Sequence, residues 1–191
     1  VTTVGSVCSG YGGLDAAVCA MFGAEVAWVA DNDPDASAVL AARYPGVPNL
    51  GDIGKVDWTQ VPPVSILAGG FPCQDVSVSG MRGGLLPGNR SGAWYHMARA
   101  IGILHPDLVV IENVRGLFSA RAHSGVEPCE VCVGDSTARP LRALGAVLGD
   151  LSDLGFDAEW QVVSAADIGG CHRRERVFIL AWPVAAHAVR A

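Results

Sequence analysis

A chain of 191 residues, 50% hydrophobic and 17% charged, has enough apolar material for a sizeable core, which excludes a disordered or low-complexity protein and leads us to expect one folded domain over 1–191. Thirteen Lys and Arg against nineteen Asp and Glu leave a net charge of -6, so a polyanion is repelled unless the positive charges gather on one face. Six scattered cysteines, an opening VTTVGSVCSGYGG without a basic-then-apolar leader, and no apolar run of the ~20 residues that span a bilayer lead us to expect a soluble cytoplasmic protein in a reducing compartment.

In chain order, Val4 to Cys8 reads as a first strand and Gly13 to Phe22 as a helix. Glu25 to Ala30 reads as a second strand ending at Asp31, and Pro34 to Tyr44 as a helix with proline in its first turn, where backbone donors lack partners anyway. Val64 to Ala68 reads as a third strand, leading into GGFPCQ. The segment SGAWYHMARAIGIL has apolar residues at helical spacing behind Ser91, a residue suited to capping, and Pro106 stops it before a strand from Leu108 to Ile111. Pro140 to Leu154 is expected to be a helix ended by Gly155, and two strands follow, Ala158 to Ser164 and Arg176 to Trp182, joined by the basic loop GGCHRRER. Short apolar runs alternating with amphipathic segments predict an α/β fold with a doubly wound, mostly parallel sheet.

Residues 118–139 break this rhythm and read as an irregular insertion. The insertion holds His123, Cys129 and Cys132, and a CxxC pair near a histidine can begin a zinc site; structural zinc needs four ligands and the fourth is not evident, so a surface insertion is the alternative.

Three constellations carry chemistry. In GSVCSGYGGLD, Gly10, Gly12 and Gly13 stand between a strand and a helix, where glycine lets the backbone turn tightly and approach a ligand at the helix N-terminus. A plain tight turn uses the same residues, but Asp31 at the end of the next strand adds the acid that commonly takes ribose hydroxyls, and together they favour an adenosine-containing cofactor. The GGFPCQ segment sets Cys73 just beyond a buried strand. A thiol becomes a strong nucleophile only as thiolate, which Arg174 and Arg176 could favour; the bland alternative is a buried small hydrophobe. In VVIENV, Glu112 closes an apolar strand, so it is expected to point into a site at the carboxyl edge as a protonated or hydrogen-bonded acid, whereas Asp107 reads as a solvated turn residue.

The order of Gly-rich turn, Pro-Cys-Gln, Glu-Asn-Val and HRRER before a strand resembles the DNA (cytosine-5)-methyltransferase family, over Gly5 to about Trp182. The resemblance implies a Rossmann-like methyltransferase fold with S-adenosylmethionine as cofactor and DNA as substrate, in the setting of restriction-modification. It implies a cofactor site of Cys8, Gly10, Tyr11, Gly12, Gly13, Asp31, Asn32, Asp52, Ile53, Gly70 and Pro72. By the same resemblance Cys73 is the nucleophile, Glu112 and the arginines Arg174 and Arg176 complete the catalytic set, and Gln74, Asn113 and His172 orient the substrate.

The sequence departs from that pattern at His172, where the family carries glutamine, and at Cys8, where it carries an aromatic residue. After Trp182 only PVAAHAVRA remains, so we expect a catalytic domain without the usual target-recognition region and C-terminal helix, binding DNA weakly alone and drawing target recognition from a second polypeptide. The rival readings are a non-catalytic DNA- or partner-binding remnant of the family and a nicotinamide-dependent oxidoreductase. The oxidoreductase would need the longer G-x-G-x-x-G fingerprint, which is absent.

Overall fold

The computed structural model describes residues 1–71, 92–118 and 143–184. Strands β1 (Thr3–Val7), β2 (Glu25–Ala30), β3 (Ile66–Gly69), β4 (Leu108–Val114), β5 (Phe156–Ser164) and β6 (Glu175–Pro183) form one sheet in the order β2-β1-β3-β4-β6-β5. The first four of these are mutually parallel, and β6 runs antiparallel to both β4 and β5. The chain is therefore an α/β protein with a doubly wound sheet, as expected, and the basic loop before β6 turns an antiparallel hairpin.

Local chemistry explains most element ends. Helix α1 (Gly13–Phe22) ends at Gly23, whose φ of 60° closes the last turn in the left-handed region. Helix α2 (Pro34–Arg43) has proline at its start, and the Asp33 carboxylate accepts from Ala36 N at 2.8 Å as its cap. Helix α3 (Ala93–Leu104) is preceded by Gly92 as its cap, without a side-chain hydrogen bond, and Ser91, the serine expected to cap it, lies outside the described residues. It buries Trp94, Met97, Ala98, Ile101 and Leu104, a stripe at helical period. Helix α4 (Ala143–Asp153) buries Leu144, Val147 and Leu151 in the same manner.

The two faces of the sheet build two cores. On one, Trp28, Leu67, Val109, Ile111, Val177 and Ile179 pack with the stripes of α3 and α4. On the other, α1 lays Val18 against Val4, Ile66, Ala68 and Val110. Strand β1 has β2 on one side and β3 on the other, so the chain reverses direction across the sheet there. In open α/β sheets the crevice at such a switch point, outside the carboxyl ends of the strands, is where ligands bind.

Strand β4 continues to Val114 instead of stopping at Ile111, because Glu112, Asn113 and Val114 pair with Phe178, Val177 and Arg176. Strand β5 begins at Phe156, earlier than its residue pattern indicated, for the same reason: Phe156 and Asp157 pair with Pro183 and Trp182. Among the described residues no helix is long and apolar enough to cross a membrane.

Candidate active site at the carboxyl edge of the sheet

The Gly-rich turn leaves β1 at Cys8, which has φ 51° and donates its N–H to Ala30 O at 2.9 Å, tying the ends of β1 and β2 together. Gly10 and Gly12 follow with φ of 54° and 73°, a region that L side chains rarely adopt, so this turn requires glycine at both. Gly12 N donates to Ser9 O at 2.9 Å, and Gly13 opens α1. A side chain at Gly12 would also meet the Tyr44 ring at 2.9 Å. Tyr44 O–H donates to Gly12 O at 3.2 Å and Arg43 donates to the carbonyl of the exposed Tyr11 at 3.1 Å, so the end of α2 grips the turn from behind.

Asp31 stands at the end of β2. Its Oδ2 accepts from Gly10 N at 2.8 Å and its Oδ1 from Asp33 N at 2.9 Å. A carboxylate has about four lone-pair sites, so each oxygen retains an acceptor for a further donor. Asn32 next to it is exposed. Asp52 lies in the turn after residue 50, where its Oδ1 accepts from Gly54 N at 2.9 Å; that backbone donor, ahead of the Lys55 ammonium, holds its carboxyl below the ordinary range. The side chain of Ile53 is buried in the core. His96 of α3 reaches the same turn, its Nε2 3.2 Å from where a Gly54 Cβ would be. Burial depresses its imidazole below the ordinary value, with Asp52 opposing that shift and Arg99 adding to it.

A second group gathers at the ends of β3, β4 and β6. Register sets Gly69 beside Ile111, so Gly70 comes opposite Glu112, and a Cβ at Gly70 would lie 3.1 Å from Glu112 Oε2. Because β6 is antiparallel, its first residues stand at the carboxyl end of β4, and Arg176 Nε meets Glu112 Oε1 at 2.5 Å. Both side chains keep partial exposure, 20% for Arg176 and 31% for Glu112. The Glu112 carboxylate is thus paired with a guanidinium at the carboxyl end of β4.

Asn113 points the other way. It is buried, its Nδ2 donates to Phe71 O at 2.9 Å and its Oδ1 accepts from Val114 N at 2.8 Å, so it fastens the residue from which the segment 72–91 departs. Phe71 packs on Trp94 at 5.1 Å between ring centroids, which brings both roots of that segment together. Arg174 is exposed in the loop before β6, and its N–H donates to His172 Nδ1 at 3.3 Å. Pro72, Cys73 and Gln74, together with His123, Cys129 and Cys132, lie outside the described residues. Among those that are described, no group of three His, Cys, Asp or Glu could hold a metal ion.

A family model for C-5 cytosine-specific DNA methylases matches residues 2–187. The chain belongs to the C-5 cytosine-specific DNA methylase family. Among curated proteins similar to this methylase chain is the Type II methyltransferase M.NlaIV of Neisseria lactamica, 32% identical over 146 residues, which are 76% of this chain and 32% of that protein. Another, from Escherichia phage P1, is described as a DNA N-6-adenine-methyltransferase and is 39% identical over 132 residues, 61% of this chain and 17% of its own. The chain thus spans about a third or less of the length of these relatives. Dnmt2 methyltransferase of S. pombe shares the fold with a TM-score of 0.68 over 96% of this chain and 51% of its own, at 20% identity.

Asn49, Arg43, Tyr44 and His96 went unmarked in the sequence. Each acts through a contact between segments far apart in the chain, and none stands in a residue pattern that announces it.

Proposed function

We propose that this chain is the catalytic and cofactor-binding part of a DNA (cytosine-5)-methyltransferase, which transfers a methyl group from S-adenosylmethionine to carbon 5 of cytosine through a covalent adduct at Cys73. The observation that carries the proposal is the Glu112–Arg176 pair, held at the carboxyl edge beside Gly70 and the root of the segment that bears Cys73.

The residues at the ends of β1 and β2 fit the cofactor. Among the described residues nothing lies within 4 Å of where a Cβ would be at Gly10 or Gly13, so a ligand can approach the turn closely, and Ser9 Oγ is buried without a hydrogen-bond partner among them. The spare acceptors of Asp31 suit the two ribose hydroxyls, and Asn32 and Asp52 would lie beside the base. Bound there, S-adenosylmethionine supplies the electrophilic methyl group that carbon 5 takes up.

Carbon 5 of cytosine is a poor nucleophile until the ring loses its aromaticity. In the proposed chemistry the Cys73 thiolate forms a bond to carbon 6, and the electrons of the 5,6 double bond become available at carbon 5. Glu112 holds or protonates ring nitrogen 3, so that negative charge does not build up there, a stabilisation needed most in the transition state. Arg176 spends Nε on Glu112 and one Nη1 donor on Glu175 O, which leaves guanidinium hydrogens for the carbonyl oxygen of the base. Arg174 helps to place the nucleophile and the base. After methylation the proton on carbon 5 leaves to solvent base, the carbon–sulfur bond breaks and the double bond returns. A stacked base cannot present carbon 6 to a thiol, so the target is flipped out of the duplex.

DNA is the proposed substrate, with target recognition drawn from outside these residues, a second polypeptide included, and the cytoplasm as the setting. The test is nucleoside mass spectrometry of DNA incubated with the chain and S-adenosylmethionine. The proposal expects 5-methylcytosine; N6-methyladenine, the activity named for the phage P1 relative, would contradict it.

A further inference from the structure

Asn49 lies where no motif points, on the short segment that flanks the outer edge of β2. Val29 N donates to Pro48 O at 3.0 Å and Leu50 N to Val29 O at 2.8 Å, a single parallel bridge that sets the Asn49 side chain against the end of that strand. The side chain then makes four hydrogen bonds. Nδ2 donates to Asp31 O at 3.1 Å and to Ser37 Oγ at 3.0 Å, while Oδ1 accepts from Asp31 N at 3.1 Å and Gly51 N at 3.0 Å. A carboxamide has two donor hydrogens and one oxygen with two lone pairs, so its whole capacity is used.

Those bonds join three segments: the end of β2, the first turns of α2, and the turn that begins at Gly51 and carries Asp52. The geometry points to Asn49 as a positioning residue for the adenosine half of the cofactor, fixing the distance between the acid at Asp31 and the turn at Asp52. This role rests on the cofactor reading above. Asn49 does not itself touch the cofactor; it holds both walls of the adenosine pocket at once. Removing the amide leaves Asp31 N and Gly51 N without their acceptor and frees the walls from each other. Asn49→Asp keeps the shape and the acceptors, but sets an oxygen against Asp31 O, which has no hydrogen to give.

The experiment is titration calorimetry of the full 191-residue chain with S-adenosylhomocysteine and with 5′-deoxy-5′-methylthioadenosine, which lacks the amino-acid arm. Wild type is compared with Asn49→Ala, Asn49→Asp and the core variant Trp94→Phe as a control for lowered stability, all well below their melting temperatures. Both Asn49 variants are expected to weaken both ligands by about tenfold, the scale of one or two lost hydrogen bonds, while Trp94→Phe binds as wild type does. Wild-type affinity in both Asn49 variants, or a loss confined to S-adenosylhomocysteine, would overturn the role of Asn49 and leave the cofactor reading standing. A wild-type chain that binds neither ligand would overturn the cofactor reading itself, and this role with it.

Discussion

Asp15 is buried in the first turn of α1, next to the Gly-rich turn, with Ser6 Oγ donating to its Oδ1 at 2.5 Å and, among the described residues, no hydrogen-bond partner for Oδ2. Burial pushes its carboxyl up, and the Ser6 hydroxyl and the Arg43 charge only partly oppose that. Between the unfolded and the folded pKa the native chain holds a proton that the unfolded chain has released, so stability falls as pH rises through that window. Asp15→Asn keeps the acceptor for Ser6 and removes the buried charge. Its melting temperature is expected to exceed wild type near pH 7, with the gain shrinking to nothing below the ordinary carboxylate range of about 4. Thermal melts across pH check this, and equal melting temperatures at neutral pH would count against it. At this scale the sequence was informative where chemistry and position coincide: a glutamate after an apolar run stands out, and the structure pairs Glu112 with Arg176 near the carboxyl end of β4. Its partner Arg176 was readable as a charge but not as a contact, since the antiparallel turn of β6 decides which arginine reaches it. Asn49 was silent because an asparagine before Leu-Gly reads as an ordinary turn residue.

Helix α3 begins where the segment 72–91 ends, and its anchoring matters for that reason. Trp94 Nε1 donates to Asp150 Oδ2 of α4 at 2.7 Å in the buried core, while its ring packs against Phe71. Replacing Trp94 by phenylalanine keeps much of the ring contact and loses this bond. The expected cost is roughly 1–3 kcal/mol, or some 2–4 °C in melting temperature per kcal/mol for a chain of this size class, read by thermal denaturation. A variant that melts with wild type would show that the bond contributes nothing. Elements were legible wherever apolar period dominated, as in α3 and β3. They were misjudged where a tertiary partner supplied the missing half of the pattern. The polar pair Glu112 and Asn113 looks like a strand end, yet β4 continues because the backbone of β6 pairs with it through Phe178 and Val177, while the two side chains find Arg176 and Phe71 O.

Across the whole molecule the net charge is -6. Among the described residues Arg43 grips the Gly-rich turn, Arg115 follows β4, Arg173 and Arg174 lead into β6, and Arg176 lies near its start. Arg115 and Arg176 are paired with Glu175 and Glu112, and Arg173 and Arg174 are exposed. The composition argued against a polyanionic partner, and at the carboxyl edge the arginines are interleaved with the acids Glu112 and Glu175, which leaves Arg173 and Arg174 exposed. The central claim of the proposed function is that the Cys73 thiolate attacks the base. Mass spectrometry of the intact chain mixed with S-adenosylmethionine and DNA containing 5-fluorocytosine tests it most directly, because fluorine cannot leave as a proton does and the adduct is trapped. The account predicts a protein–DNA adduct in wild type, sharply reduced in Glu112→Gln and abolished in Cys73→Ala; an adduct that survives Cys73→Ala, or methylation of cytosine by that variant, would contradict it.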